Sequence, residues 1–355
     1  MRLLFHLFLM PSHVIKRFVS ILILVILLYT GFVVWSDVSK NVQTLRAFPW
    51  IHIPVILVAV LINFFLRELK WDFFRRAAGI NVPRFGSFLV FFSGFSMAIS
   101  PARIGELIKP FMYKEYFGQK MRRSVPLVFC ERLSDLFGMI VLGAITLVPF
   151  MRAVTPEGEM DVSTKVVYLF FAFSIIAMIL LMAILRNKRL VYGGLKLFAR
   201  GQRGRKILPK LRHLYRSTYP LLTARNLIVT TFIATVSWFF ECIALWLILH
   251  GVGATTVTIG QAGFIFCMAT IFGGFLFFLP GGLGGFEASM MALLTLLGIE
   301  NFQAVPAVFI TRACTLFFSV GLGFLFILVT SMRYRKALAW EEFEAAEKQS
   351  AEPED

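Results

Sequence analysis

Long apolar runs alternate with short polar connections along most of this chain. Six of these runs have the length of a membrane-spanning helix, about 20 residues for a hydrocarbon core of about 30 Å. They cover residues 18–35, 53–70, 125–150, 166–185, 226–249 and 305–331. Two further apolar segments, residues 85–113 and 258–298, are too long for one helix and are interrupted near the middle by Pro and Gly. The pattern predicts an all-α polytopic membrane protein with two broken segments.

The two broken segments carry similar motifs at their interruptions. The first reads Pro101-Ala-Arg-Ile-Gly-Glu106, and the second reads Pro280-Gly-Gly-Leu-Gly-Gly-Phe-Glu287. Each motif ends in a carboxylate and is followed by an arginine at the next apolar run, Arg132 after 26 residues and Arg312 after 25. Paired interruptions of this kind indicate an internal repeat whose broken helices form a substrate site near the bilayer midplane.

Loop charges predict how the broken segments lie in the membrane. Basic residues flank the first one on both sides, in residues 67–84 and 109–124, so both flanks should be cytoplasmic. The loops at residues 151–165, 250–257 and 299–304 are acidic or nearly uncharged, which places them outside. Each broken segment then enters and leaves from one side as a re-entrant hairpin, and the two hairpins have opposite orientations.

The six spans and two hairpins together form a four-plus-four inverted repeat, with halves at residues 18–150 and 166–331. Both ends of the chain, residues 1–17 and 332–355, are then expected in the cytoplasm. The expected location is the cell inner membrane. The alternative is that each broken segment makes two ordinary spans, which gives about eight to ten crossings.

Composition supports the membrane assignment. The chain has 355 residues, of which 58% are hydrophobic and 40 are Phe, and its mean hydropathy is +0.78. A soluble core of this size could not bury so much apolar surface. The net charge is +16, but the basic residues cluster between the apolar runs, which membrane topology and anionic headgroups explain better than nucleic acid. We therefore expect no nucleic-acid partner.

Reactive side chains give little sign of catalysis. The first apolar run follows Lys16 and Arg17 and has no small-residue cleavage site, so it is expected to be a retained helix. The four Cys show no CxxC spacing and the five His show no metal-binding spacing. We expect no metal, no cofactor and no enzymatic activity. Hydrolysis by Glu106 and Glu131 is the enzymatic alternative.

Ionisable residues and glycines in or beside the apolar segments form the candidate site. A charge at a helix centre costs about 2.5–3.5 kcal/mol on insertion, so these charges need partners or a ligand. Arginines can bind a phosphate, glycines can turn backbone N–H groups toward an anion, and carboxylates can hold the arginines or an amine. The candidate substrate-binding residues are Arg103, Glu106, Glu131, Arg132, Gly281, Gly282, Gly284, Gly285, Glu287 and Arg312.

A structural role for the same charges is the alternative. They could be helix-to-helix ion pairs that hold the hairpins in place. Arg132 and Asp135 stand three residues apart on one helix face, which favours a local ion pair. Glu241, by contrast, has no obvious local partner, so it is either protonated or paired with an arginine of another span.

Four motifs in order resemble the flippase-like membrane domain of the lysylphosphatidylglycerol synthase family, also called the UPF0104 family. They are residues 100–109, 131–138, 279–289 and 311–312, and the resemblance covers about residues 18–331. In bifunctional members this domain moves an aminoacylated phospholipid across the bilayer, and a separate soluble domain makes that lipid. Stand-alone relatives are associated with export of other lipids, including hopanoids and polyprenol-linked sugars. Only 23 residues follow Met332, so we expect a stand-alone member without the synthase domain.

The resemblance implies lipid translocation, with a charged headgroup bound between the two hairpin tips. The lipid would be a phospholipid, a hopanoid or a polyprenol-linked lipid. Residues 186–225 carry 12 Lys or Arg and no acidic residue, which either reflects membrane topology alone or forms an interfacial helix that attracts anionic lipid. The alternative function is a non-catalytic membrane partner or regulator of a lipid synthase.

Overall fold

The structure, a computed structural model, describes residues 38–100, 105–155, 162–198, 202–275 and 280–334. The regular structure within these ranges is helical, with no strand. The α-helices are α1 (Val38–Ala47), α2 (Ile53–Ala77), α3 (Arg84–Ser93), α4 (Ile108–Phe117), α5 (Met121–Val154), α6 (Val162–Arg186), α7 (Lys188–Phe198), α8 (Gln202–Thr218), α9 (Ala224–Gly251), α10 (Ile259–Phe275), α11 (Gly285–Leu296), α12 (Asn301–Arg312) and α13 (Phe318–Tyr334). The predicted all-α class is confirmed.

Five helices in the described ranges are long and apolar enough to cross a membrane. They are Trp50–Ala77, Met121–Val154, Val167–Arg186, Ala224–Gly251 and Asn301–Tyr334. The last joins α12 and α13 through a π-helical turn at Ala313–Phe317. Each coincides with a predicted span, while the predicted span at residues 18–35 lies outside the described residues. The chain is therefore a multi-pass membrane protein.

Both segments that the sequence marks as broken are broken in the structure. In the first, a 3₁₀ turn at Gly94–Met97 follows α3, and α4 begins ten residues after it. In the second, α10 and α11 are separated by residues that include a 3₁₀ turn at Pro280–Gly282. The returning arms α4 and α11 have 10 and 12 residues, which is about 15 and 18 Å of helix against a core of about 30 Å. Their lengths suit re-entrant hairpins, and the side of entry stays a prediction.

In each predicted half, the hairpin packs against the last span of the other half. Helix α2 packs against α9, which holds the same place in the second half. Helix α5 of the first half packs against α10 of the second hairpin, and α13 of the second half packs against α3 of the first. The amide side chain of Asn63 donates to the carbonyl of Ser237 at 2.8 Å across the α2–α9 contact. These contacts connect the two predicted repeat halves, and the inverted repeat itself stays a prediction.

The loops on either side of the first hairpin lie at one end of the bundle. Gln119 Nε2 donates to the carbonyl of Asn81 at 3.3 Å, which joins the loop after α4 to the loop before α3. The end of α13 lies there too, because Tyr116 and Ser331 share a hydrogen bond of 3.2 Å. At the opposite end, Phe48 packs directly on Gly251 at the end of α9.

Membrane sidedness can be tested with single cysteines at exposed positions of these loops. Asn81→Cys and Lys120→Cys are expected to react with an impermeant thiol reagent from the same face, and Thr255→Cys from the other face. The native cysteines Cys130, Cys242, Cys267 and Cys314 are all buried, so unsubstituted protein is the control. Reaction of the first two variants from opposite faces would make the first broken segment a full crossing and remove the inverted repeat.

One part of the loop-charge argument is wrong. Arg67, Lys70 and Arg75 were counted as loop charges, but α2 continues to Ala77 and buries all three, with 7%, 0% and 8% exposure. The helix tolerates Lys70 and Arg75 because carboxylates compensate their charge, as Asp72 does for Arg75 at 2.7 Å. Lys109, counted on the other flank, is also buried. The exposed basic residues of the flanks are Arg76, Arg84, Lys114, Lys120, Arg122 and Arg123.

The basic stretch after α6 contains two helices, α7 and α8. Helix α8 packs on α5, and Tyr215 Oη donates to the carbonyl of Leu185 at 2.9 Å. Burial and the neighbouring Tyr219 and Tyr192 raise the pKa of Tyr215. These contacts attach the basic helices to the end of the bundle where α9 begins. Their attraction for anionic lipid stays a prediction.

Candidate functional site

A buried carboxylate on α5 is the centre of the charged network in the first half. Glu131 is 0% exposed. Its Oε2 accepts a hydrogen bond from Lys109 Nζ at 2.5 Å, and its Oε1 accepts one from Arg132 Nη2 at 2.9 Å. Lys70 Nζ donates to the Glu131 carbonyl at 3.3 Å and also to the side chain of Asp135. The network therefore joins α2, the start of α4 and one face of α5.

Arg132 connects the first hairpin to α5. Its Nε lies 3.0 Å from Glu106 Oε2, just beyond the hairpin tip, and its Nη1 lies 3.4 Å from Asp135 Oδ2. The predicted local pair with Asp135 is confirmed. The Arg132 side chain is 24% exposed, whereas its three carboxylate partners are 8% exposed or less. Of the predicted site residues in this network, Arg132 is the one most open to a ligand.

Sequence reasoning missed three members of this network. Arg67 and Lys70 stand three residues apart on α2, and Lys109 lies in the first turn of α4. Lys109 Nζ also lies 4.6 Å from the centre of the Trp71 ring, a cation–π contact that helps to stabilise a buried ammonium. The sequence feature that could have identified these residues is basic charge at helical spacing within an otherwise apolar run. The same feature also fits the edge of a loop.

A buried ion pair stabilises the second hairpin tip. Arg312 Nε donates to Glu287 Oε1 at 2.7 Å, with Glu287 0% and Arg312 7% exposed. The guanidinium also lies 3.9 Å from the centre of the Phe286 ring, and its Nη2 donates to the Gly282 carbonyl at 3.4 Å. The matched charges at these two sequence positions therefore meet in space, and they attach α12 to the first turn of α11.

The glycines of the second motif are required by the backbone of the tip. Gly281, Gly282 and Gly284 have φ of 61°, 66° and 86°, in the left-handed region that glycine favours. A Cβ on Gly282 would lie 2.9 Å from the carbonyl oxygen of Gly273 in α10. The Gly284 N–H already donates to Glu287 Oε2 at 2.7 Å, so it serves the hairpin itself, and Gly285 begins α11. Binding of a headgroup by these amides stays a prediction.

The second hairpin tip lies against a residue just before the first motif. A Cβ on Gly281 would lie 3.6 Å from Cα of Ile99, which stands beside the first motif, and 3.3 Å from Cδ2 of Leu316. The second tip therefore contacts both Ile99, two residues before the first motif, and the π-helical turn beyond α12. Arg103 of the first motif lies outside the described residues, as do residues 276–279 next to the second motif.

The described ranges contain no group of three or more His, Cys, Asp or Glu side chains arranged to hold a metal ion. The charged side chains near the tips are instead occupied with one another, as carboxylates paired with arginines and lysines. This arrangement can bind and orient a charged group, and it provides cations close to where two broken helices meet.

Comparison with known proteins identifies the family. The family model of the lysylphosphatidylglycerol synthase transmembrane region matches residues 18–323. The chain belongs to this family. It is also 24% identical over 325 residues to a UPF0104 membrane protein of Methanothermobacter thermautotrophicus, covering 85% of the chain and 90% of that relative. A second UPF0104 membrane protein of the same organism is 23% identical over 288 residues, covering 76% of the chain and 83% of the relative.

The match to the lysylphosphatidylglycerol synthase transmembrane family includes all four motifs that suggested it. Both hairpins, the Glu131 network and the pair of Glu287 with Arg312 lie within the matched residues. The family prediction is therefore confirmed.

Proposed function

We propose that this protein moves a lipid between the leaflets of its membrane and binds the charged headgroup where the two hairpin tips meet. The contact of Gly281 with Ile99 and Leu316 is the observation that carries this proposal. Broken helices in the interior of a membrane protein leave backbone groups that must be satisfied by protein or by a wet, polar site. Buried charged residues lie close to both interruptions. Such a place can bind the polar headgroup of a lipid while its acyl tails stay in the bilayer.

The charged residues divide into two proposed roles. Arg132 is partly exposed and would contact the headgroup directly, with Glu106 and Glu131 holding its guanidinium in place. Arg312 is buried against Glu287 and Phe286, so its proposed role is to hold the second tip while the glycines and Arg103 face the headgroup. The carboxylates would also hold an amine on a headgroup that carries one.

Alternation between the leaflets would come from movement of one half against the other. Reciprocal packing of α5 with α10 and of α13 with α3 places each hairpin against the last span of the other half. A rocking movement of one half against the other would therefore change the contact at the tips and expose the headgroup to each side in turn. The sequence has no GxxxxGK[ST] nucleotide motif, so we propose that transport follows a gradient and that the chain performs no covalent chemistry.

Lipid that copurifies with the protein tests this function. We expect mass spectrometry to find one headgroup class enriched over the source membrane. We also expect Arg132→Lys to retain about one tenth of that lipid, because lysine keeps the charge but loses the planar fork that binds phosphate. The control is Arg123→Lys at an exposed position, which should retain the wild-type amount. Copurification of a lipid synthase without headgroup enrichment would favour the role of a synthase partner instead.

A further inference from the structure

Arg67 is a buried arginine whose guanidinium makes no hydrogen bond within the described part of the chain. The residue is 7% exposed, and its Nε is buried without a hydrogen-bond partner. Its Nη2 lies 3.6 Å from Glu131 Oε1 and 3.9 Å from Asp135 Oδ2, which are beyond hydrogen-bond distance. Buried donors are normally satisfied, and a charged donor left unsatisfied costs more than a neutral one. Within the described residues, this arginine therefore has two carboxylates nearby but no acceptor at hydrogen-bond distance.

Charge balance around Arg67 indicates the sign of that ligand. The described network contains four cations, Arg67, Lys70, Lys109 and Arg132, and three carboxylates, Glu106, Glu131 and Asp135. The carboxylates are bound at hydrogen-bond distance by Lys70, Lys109 and Arg132. Positive charge is in excess, and Arg67 is the member without a close partner. An excess buried charge is costly unless an anion compensates it.

Glu241 of α9 is not the anion that compensates Arg67. It interacts electrostatically with Arg67, but the two side chains form no ion pair and Glu241 Oε2 is buried without a hydrogen-bond partner. A carboxylate that compensated Arg67 would lie within hydrogen-bond reach of it. The Glu241 carboxyl thus accepts no hydrogen bond from the N–H groups of Arg67.

The Arg67 guanidinium lies over two aromatic rings. Its central carbon lies 5.3 Å from the ring centre of Phe95, in the turn that leads to the first tip, and 5.3 Å from that of Trp238 on α9. Contacts of this kind stabilise the cation but do not supply a carboxylate or carbonyl oxygen to its N–H donors. The rings also place Arg67 between the two repeat halves, because α2 and α9 are paired counterparts.

We propose that Arg67 is an anion-binding residue and that its ligand is a phosphate group. A guanidinium fork binds the oxygens of a phosphate through two parallel N–H···O bonds, which satisfies the donors and compensates the excess charge together. Under the proposed function, on which this assignment of the source rests, the phosphate belongs to the lipid headgroup. It would then contact α2, α9 and the first hairpin at once, and so join the two halves.

Titration calorimetry in detergent with three probes tests the assignment. Dihexanoyl phosphatidic acid carries the phosphate on a lipid, inorganic phosphate carries it alone, and dihexanoylglycerol lacks it. We expect dihexanoyl phosphatidic acid to bind and dihexanoylglycerol not to bind. Arg67→Gln should weaken the phosphatidic acid about 10- to 100-fold, the range of a lost hydrogen bond to a charged group. Arg76→Gln is the matched control on the same helix, because its side chain is 63% exposed, and it should bind as the wild type does.

The other possible results either overturn the assignment of Arg67 or distinguish a lipid phosphate from free phosphate. Equal binding by the wild type and Arg67→Gln would overturn the assignment. If Arg67→Gln does not fold, Arg67→Lys takes its place, and binding of that variant at wild-type strength would overturn the assignment as well. Binding of inorganic phosphate as tight as that of the lipid, and lost in the same variants, supports an anion site with free phosphate as its ligand. Transport in vesicles is measured in parallel, so a protein that binds through Arg67 but moves no lipid would refute only the proposed function.

Discussion

Replacing Gly323 by alanine is expected to destabilise the protein more than any other single methyl addition to its helices. A Cβ on Gly323 would lie 2.0 Å from the backbone nitrogen of Ser96 and 2.6 Å from the carbonyl carbon of Phe95. These are backbone atoms of the turn that leads to the first tip, so no side-chain rotation can relieve the overlap. The cost is about 3 kcal/mol, at the upper end for overpacking, and it should appear as a lower midpoint of thermal unfolding in detergent.

Gly321→Ala is the matched control for this prediction. Gly321 lies two residues before Gly323 on the same helix α13, and a Cβ at this position would have no atom within 4 Å. Alanine there should leave stability unchanged or raise it by about 0.5–1 kcal/mol through helix propensity. Similar unfolding midpoints for the two variants would show that α13 does not approach the first hairpin as closely as the structure has it.

Glu287→Gln is expected to deplete the folded protein. The substitution leaves Arg312 buried without its counter-charge, and breaking a buried pair from one side costs about 3–5 kcal/mol. Glutamine also weakens the bond from the Gly284 N–H, because it is no longer a charged acceptor. The measurement is the yield of monodisperse protein in size-exclusion chromatography together with its unfolding midpoint.

The double variant Glu287→Gln/Arg312→Gln separates the charge effect from the loss of packing. It leaves no unpaired charge, so it should be more stable than either single variant. Glu300→Gln, at an exposed carboxylate before α12, is the control and should behave as the wild type does. Additive losses in the double variant would contradict a buried ion pair at the second tip.

Sequence patterns predicted the helices and the interruptions well. Apolar runs of span length are set by the bilayer, and Pro with Gly interrupts a helix for local reasons, so both can be read from neighbouring residues. The pairing of Glu287 with Arg312 was also predictable, because Arg312 is the first basic residue that follows Glu287. The pairing of Arg132 with Asp135 followed from helical spacing alone.

The Arg67 environment could not be predicted in the same way. Its neighbours Glu131, Phe95 and Trp238 come from three other elements, and only tertiary packing brings them together. The sequence showed a basic residue close to the end of an apolar run, where membrane topology explains charge equally well. The extension of α2 to Ala77 depends on carboxylates of α5 and of α2 itself, which hydropathy does not report.

The most direct test of the proposed transport is to crosslink the end of the first hairpin arm to the π-helical turn beyond α12 and measure lipid movement. Ile99→Cys and Leu316→Cys introduce thiols on the two elements that contact Gly281, in a background without the native cysteines. Joined by a short reducible crosslinker and reconstituted in vesicles, this variant should stop moving a fluorescent phospholipid between leaflets, and reduction should restore the rate of the uncrosslinked variant. Crosslinked protein that moves lipid at the uncrosslinked rate, or wild-type vesicles that match protein-free ones, would contradict the account.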